Sequence, residues 1–202
     1  MVKYKRKKTK IKRTRRFLKN DTTIFVGILK RIKSHRGHVT VQQVAKDIGV
    51  SRQTIYNHHT GITRAIIDSE NELLKAFSSG LDEQIKKLSV AVEDVNEQVF
   101  YAALIFMAHR KEIFRLICED LNHQELLYRM VEVLYPRLQI TWLPKNIPAP
   151  AASSERAGMF FRMIVEVFCR WGVTTHCDLN RAGEYISHLT RITTEVSRNT
   201  RI

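Results

Sequence analysis

Between Arg52 and Asn57 the chain sets a guanidinium, two carboxamides, a hydroxyl and a phenol side by side, with no carboxylate among them. An ordinary solvated helix face mixes acids with bases, and this one holds only groups that hydrogen-bond base edges and phosphates. Arg52 suits a guanine, and Gln53 and Asn57 suit an adenine. Thr40, Ser51, Tyr56 and His58 are placed to hold phosphates, and Thr54 to touch a thymine methyl or a phosphate. Gln42 and Gln43 complete the candidate nucleic-acid set.

Two short helices must position these groups. Thr40 followed by Gln43 is a capping-box pattern, and Val41, Val44, Ala45 and Ile48 share one apolar face. Gly49 is the residue type that ends a helix in a left-handed turn, and Ser51 is a good cap for the next helix. Ile55 is that second helix's inward residue. The small Ala45 permits a steep, close crossing, with Val50 plugging the corner. This is the pattern of a helix-turn-helix whose second helix enters a major groove. The competing reading is a plain helical hairpin.

Charge is distributed accordingly. The formal net charge is +14. Residues 1–60 hold 17 Lys/Arg against 2 acids, whereas residues 61–202 hold 17 against 18. The whole excess therefore sits where a polyanion would dock. Residues 1–20 contain no acid, and Lys7, Lys8, Lys10, Lys12, Arg13, Arg15 and Arg16 lie at their centre. Such a run repels itself and is expected to be a disordered arm that lies along phosphates or enters a minor groove. A solubilising tail and attraction to anionic lipid are the alternatives.

Composition sets the remaining bounds. An apolar fraction of 44% and a charged fraction of 27% describe a soluble globular chain. Cys118, Cys169 and Cys177 form no CxxC pair, which fits a reduced cytoplasmic setting with thiols as small core residues. The run Ile24–Leu29 is too short for a secretory core, and Val99–Ala108 is about half a membrane span. No membrane partner is expected. His35 and His38 are three apart but have no third ligand close in sequence, so no metal and no cofactor are predicted. Chemistry at His109 and Glu112, or at His176, Cys177 and Asp178, lacks any recognisable nucleophile–base pair or phosphate loop, so an enzyme is not expected.

The rest of the chain reads as helices throughout, with no strand-like alternation, and the predicted fold class is all-α. A first helix spans about Thr22 to Lys33, with Ile24, Phe25, Ile28, Leu29 and Ile32 inward. Beyond His59, helices are expected from Gly61 towards Gly80, then over Leu81–Val90, Val95–His109, Lys111–Cys118 and Leu121–Leu138. Prolines 136, 144, 148 and 150 make Pro136–Ala152 a non-helical crossing. A helix capped by Ser153 or Ser154 runs to about Trp171, and a last one follows Asp178. Phe160, Ile164, Val167, Phe168 and Trp171 on the former, and Tyr185, Ile186, Leu189 and Ile192 on the latter, suggest packing against a second copy; completing the chain's own core is the alternative. Central side chains Phe100, Phe106, Met107, His109, Tyr128 and Phe161 are candidates to line a pocket for an apolar small molecule. The expected division is an arm over 1–20, a three-helix DNA-binding bundle over 21–67, and a helical regulatory and dimerisation domain over 68–202.

With these elements in place, TVQQVAKDIGVSRQTIYNHH resembles the TetR family of transcriptional regulators. The residues carrying the likeness are Thr40, Val44, Ala45, Gly49, Val50, Ser51, Thr54, Ile55, Tyr56 and His58. The resemblance covers roughly Thr22 to Ile67; the remainder is similar in architecture alone. It implies a cytoplasmic, nucleoid-associated homodimer that represses at a palindromic operator, with an effector bound among the central helices and a four-helix dimer interface. An architectural protein with little sequence preference is the alternative. Two positions depart from the family pattern: His59 stands where an aromatic is usual, and Ile62 where a phosphate-touching lysine is usual.

Overall fold

The computed structural model describes residues 22–34, 39–119, 124–140 and 155–198. The basic arm, including Lys7, Lys8, Lys10, Lys12, Arg13, Arg15 and Arg16, lies outside them, as do His35, His38, Trp142, Leu143, Ile147, Ser153 and Ser154. The described residues are helical without strands. The helices are α1 (22–34), α2 (Val41–Asp47), α3 (Arg52–His58), α4 (Ile62–Leu88), α5 (Val95–Ala108), α6 (Lys111–Glu119), α7 (Gln124–Leu134), α8 (Glu155–Thr174) and α9 (Ala182–Arg198). Short 3-10 turns cover Tyr135–Arg137 and Leu179–Arg181. The chain divides into two compact units, Met1–Glu72 and Leu73–Ile202.

In the first unit Ile24, Ile28, Val44, Ala45, Ile55 and Ala65 form one buried cluster, with Ile32, Ile48, Val50, Ile62 and Ile66 packed around it. Close approach between α1 and the end of α2 depends on Gly27. A Cβ there would lie 2.4 Å from Ile48 Cγ2, a contact far inside van der Waals distance. Arg31 adds an ion pair to Asp47 across the same helices, at 3.3 Å.

In the second unit α8 packs on α6, α7 and α9, and α9 also packs on α5. Phe100, Ala102, Ala103, Leu104 and Met107 are buried around most of α5, which makes it central as its composition predicts. Edge-on aromatic contacts link Phe77 to Phe106 (5.0 Å) and Phe106 to Phe114 (6.1 Å). Arg137 clasps Asp82 with two nitrogens, at 2.7 and 3.0 Å. Asn96 Oδ1 accepts from Gln139 N at 2.8 Å, holding the segment that follows α7.

Three expectations change. The helices foreseen on either side of Gly80 are one 27-residue helix, α4. Gly80 is not a stop but a close-packing site, since a Cβ there would lie 3.2 Å from the Phe106 ring. The stripe expected to face a second copy is instead interior to the chain. Phe160, Ile164, Phe168, Trp171, Tyr185, Ile186, Leu189 and Ile192 are all buried, and Val167 is half-buried. The reason is geometric: with α6, α7 and α9 all packed against α8, little of its apolar stripe is left outside. What α8 leaves exposed is Met159, Met163 and Val173 among Arg162, Glu166 and Arg170.

The candidate pocket residues divide as well. Phe100, Met107 and Phe161 are packed in the core, Phe161 against the rings of Tyr135 (5.8 Å) and Phe160 (5.9 Å), and Tyr128 is half-buried. Phe106 and His109 instead line a cleft of about 310 Å³ together with Ala76, Ser79, Gly80, Glu83, Gln84, Ile105 and Arg110. The Arg110 guanidinium lies 3.9 Å from the centroid of the Phe106 ring. The cleft is more polar than the expected cavity.

Candidate nucleic-acid interface

The helix pair is built as its residues dictate. Thr40 Oγ1 accepts from Gln43 N at 3.3 Å, while Gln43 Oε1 accepts from Thr40 N at 3.1 Å, closing a capping box. Gln43 Oε1 also accepts from Thr40 Oγ1 at 3.0 Å, so that oxygen is committed and the carboxamide NH2 is the end left to act. At the other end of α2, Gly49 has φ +69°, the left-handed region that glycine enters without a Cβ penalty. Val50 N donates to Ala45 O at 2.9 Å and Gly49 N to Lys46 O at 3.3 Å. These two bonds are the Schellman pair, which satisfies carbonyls that the helix end orphans. Ser51 Oγ then accepts from Thr54 N at 3.0 Å and lies 2.9 Å from Thr54 Oγ1, starting α3.

On α3, Ile55 is fully buried and every other position is exposed or half-exposed. Arg52, Gln53, Tyr56 and Asn57 stand outward, and Tyr56 is 52% exposed. Thr40, Gln42 and Ser51 are also exposed; Gln43, Thr54 and His58 are half-buried.

One contact reorganises the expected readout. Gln53 Nε2 donates to Asn57 Oδ1 at 2.8 Å. The two carboxamides are therefore not independent readers. Joined this way they leave Gln53 Oε1 as an acceptor and Asn57 Nδ2 as a donor, the complement of an adenine N6 amine and N7.

Both departures from the family pattern have structural explanations. His59 caps α3, its N–H donating to Ile55 O at 2.8 Å, and its side chain is buried. Its Nδ1 lies 3.2 Å from Asp68 Oδ2, and Arg64 Nε lies 2.9 Å from Asp68 Oδ1. A carboxylate accepts, so Nδ1 carries the proton. Ile62 packs against the buried cluster, so the position that lacks a lysine contributes to the core instead. Neither the His59–Asp68 contact nor the Gly27 approach carried a sequence signal, because each depends on which helix face meets which.

The hydrogen bond from His59 chiefly, and then the charge of Arg64, hold the Asp68 carboxyl below its ordinary value of 3.8 against the opposing effect of desolvation. A carboxyl depressed in the folded state stabilises fully above its unfolded value and loses that contribution as pH falls through the folded one. The first unit is thus expected to lose stability on acidification below 3.8. Asp68→Asn should flatten that acid limb when thermal midpoints are followed against pH. An unchanged limb would remove Asp68 from the account.

Residues 27–72 match the family described as HTH domain, a DNA-binding helix-turn-helix. The match begins inside α1 and ends at the residue where the first compact unit ends. No curated protein and no solved structure matches the chain. The chain therefore carries an N-terminal DNA-binding domain within an all-helical fold. Among the described residues no helix is long and apolar enough to cross a membrane, and no three His, Cys, Asp or Glu side chains converge to hold a metal.

Proposed function

We propose that this chain is a sequence-specific transcriptional regulator of the TetR type, a repressor that acts as a homodimer on a palindromic operator. The observation that supports it best is the outer row of α3, where Arg52, Gln53, Tyr56 and Asn57 are exposed, free of acids and held on a doubly capped helix pair. In this reading α3 lies in the major groove. Arg52 reads a guanine, and Gln53 with Asn57 reads one adenine between them. Thr40, Gln42, Gln43, Ser51, Tyr56 and His58 hold the backbone, with Thr54 beside them and the basic arm adding phosphate contacts. Two such heads would sit about one helical turn apart, roughly 34–36 Å. The second unit (the expected regulatory domain) would self-associate through the exposed face of α8 and take a small effector in the cleft of Phe106, His109 and Arg110. The mixed lining of that cleft favours an amphipathic ligand over a purely apolar one.

Selecting bound sequences from random duplex DNA tests the reading. An inverted repeat is expected. Gln53→Ala and Asn57→Ala should each relax preference at the same single position and cost about 1–3 kcal/mol. The double variant should cost little more than either single one, because the pair acts as a unit. Enrichment of no motif would favour an architectural DNA-binding protein instead. Two separately relaxed positions would dissolve the shared-adenine readout.

A further inference from the structure

The cleft of about 310 Å³ between α4 and α5 lies wholly within the second unit. On the α4 side, Ala76 and Gly80 are spaced by four and carry almost no side chain, which leaves room between the helices. Ile105 and Phe106 supply apolar surface from α5. Apolar walls with a few convergent polar groups are the usual make-up of a small-molecule site.

The charged groups of this cleft are unequal. Glu83 is exposed, and its carboxylate already pairs with Lys87 Nζ at 2.6 Å. Arg110 is half-buried, and among the described residues no carboxylate pairs with its guanidinium. Burial alone lowers that group from its ordinary value, with no acid opposing the shift. What holds it is a ring: the guanidinium carbon lies 3.9 Å from the centroid of Phe106. Phe106 is itself fixed by edge-on contacts to Phe77 and Phe114. Such a stack orients the guanidinium fork but supplies no lone pair to its five N–H donors. A partly desolvated cation in this state is completed by an anion. His109 stands beside it on the same cleft, exposed, its backbone capping α5 and its ring making no hydrogen bond among the described residues.

We propose that this cleft binds a small organic monocarboxylate, with the carboxylate on Arg110 and His109 and the apolar body against Ala76, Gly80 and Ile105. The planar fork of an arginine matches a carboxylate through two parallel hydrogen bonds. A dianion would set its second charge against Glu83, so a carboxylate suits the cleft better than a phosphate ester. The inference rests on the reading of this cleft as the effector site, and it gives that effector a chemical class.

Phenylacetate, octanoate, their two amides and phenyl phosphate, each titrated calorimetrically into the full-length protein without DNA, test it. At least one acid should bind about ten- to a hundredfold more tightly than its own amide, because the amide cannot form the charged pair. Phenyl phosphate should bind more weakly than phenylacetate. Arg110→Gln should erase the advantage of acid over amide. Arg115→Gln makes the same charge change at an exposed position of α6 outside the cleft, and should preserve that advantage. Amides that bind as tightly as the acids, phenyl phosphate that binds more tightly than phenylacetate, or no binding of either acid at millimolar concentration would overturn the proposal. So would an acid advantage that survives in Arg110→Gln. The comparison of acid with amide on the parent protein decides the matter even where a variant fails to fold. Adding the bound acid to a DNA-binding assay is a separate measurement. An acid that binds yet leaves DNA affinity unchanged would sink the effector reading and leave the carboxylate site standing.

Discussion

Ile55→Ala is expected to abolish DNA binding without altering a single DNA-facing side chain. Ile55 is fully buried at the centre of the cluster formed by Ile24, Ile28, Val44, Ala45 and Ala65. Removing its branched end deletes buried methyl groups and leaves a cavity where α3 meets α1 and α2, at a cost of about 2–5 kcal/mol. Small units have little stability in reserve, because they bury a smaller fraction of their surface. The loss should therefore appear as unfolding of the first unit, seen as lost amide hydrogen-exchange protection in α1 to α3. Tyr56→Ala provides the contrast. Tyr56 is half exposed, so its loss should leave stability within about 0.5 kcal/mol while weakening DNA binding. Protection in Ile55→Ala equal to that of the parent protein would mean that α3 is held by something other than this core.

What could be read from the residues alone was whatever is local. Thr40 with Gln43, Gly49 and Ser51 encode caps and a turn over three or four residues, and the hydrogen bonds they imply are all present. Helical periodicity likewise placed Ile24, Ile28 and Ile55 on buried faces. Ambiguity began where one local signal has two tertiary outcomes. Gly80 reads as a helix end, and the aromatic ring of Phe106 turns it into a contact point within a continuous helix. An apolar stripe on α8 serves equally well as core or as interface, and only its neighbours α6, α7 and α9 decide between them. The bond between Gln53 and Asn57 is not legible in the sequence, because a spacing of four shows only that they share a face. His59 with Asp68 follows no spacing rule at all, since their meeting is a product of the fold.

The two outcomes for α8 can be separated by a pair of substitutions. Phe168 is fully buried and its neighbours lie within one chain, so Phe168→Ala should lower the stability of the second unit by about 3–5 kcal/mol. That loss should be the same at every protein concentration, because no association contributes to it. Met163 is 39% exposed on the opposite side of the helix, beside Arg162 and Glu166. Met163→Glu should barely change unfolding of the single chain. In a two-fold dimer any patch occurs twice, so the added carboxylate would burden the interface from both sides and weaken self-association. Sedimentation across a dilution series, set beside denaturant melts, reads both quantities. Phe168→Ala proteins that stay folded but dissociate would place that ring between chains, and Met163→Glu proteins that associate normally would move the docking face away from α8.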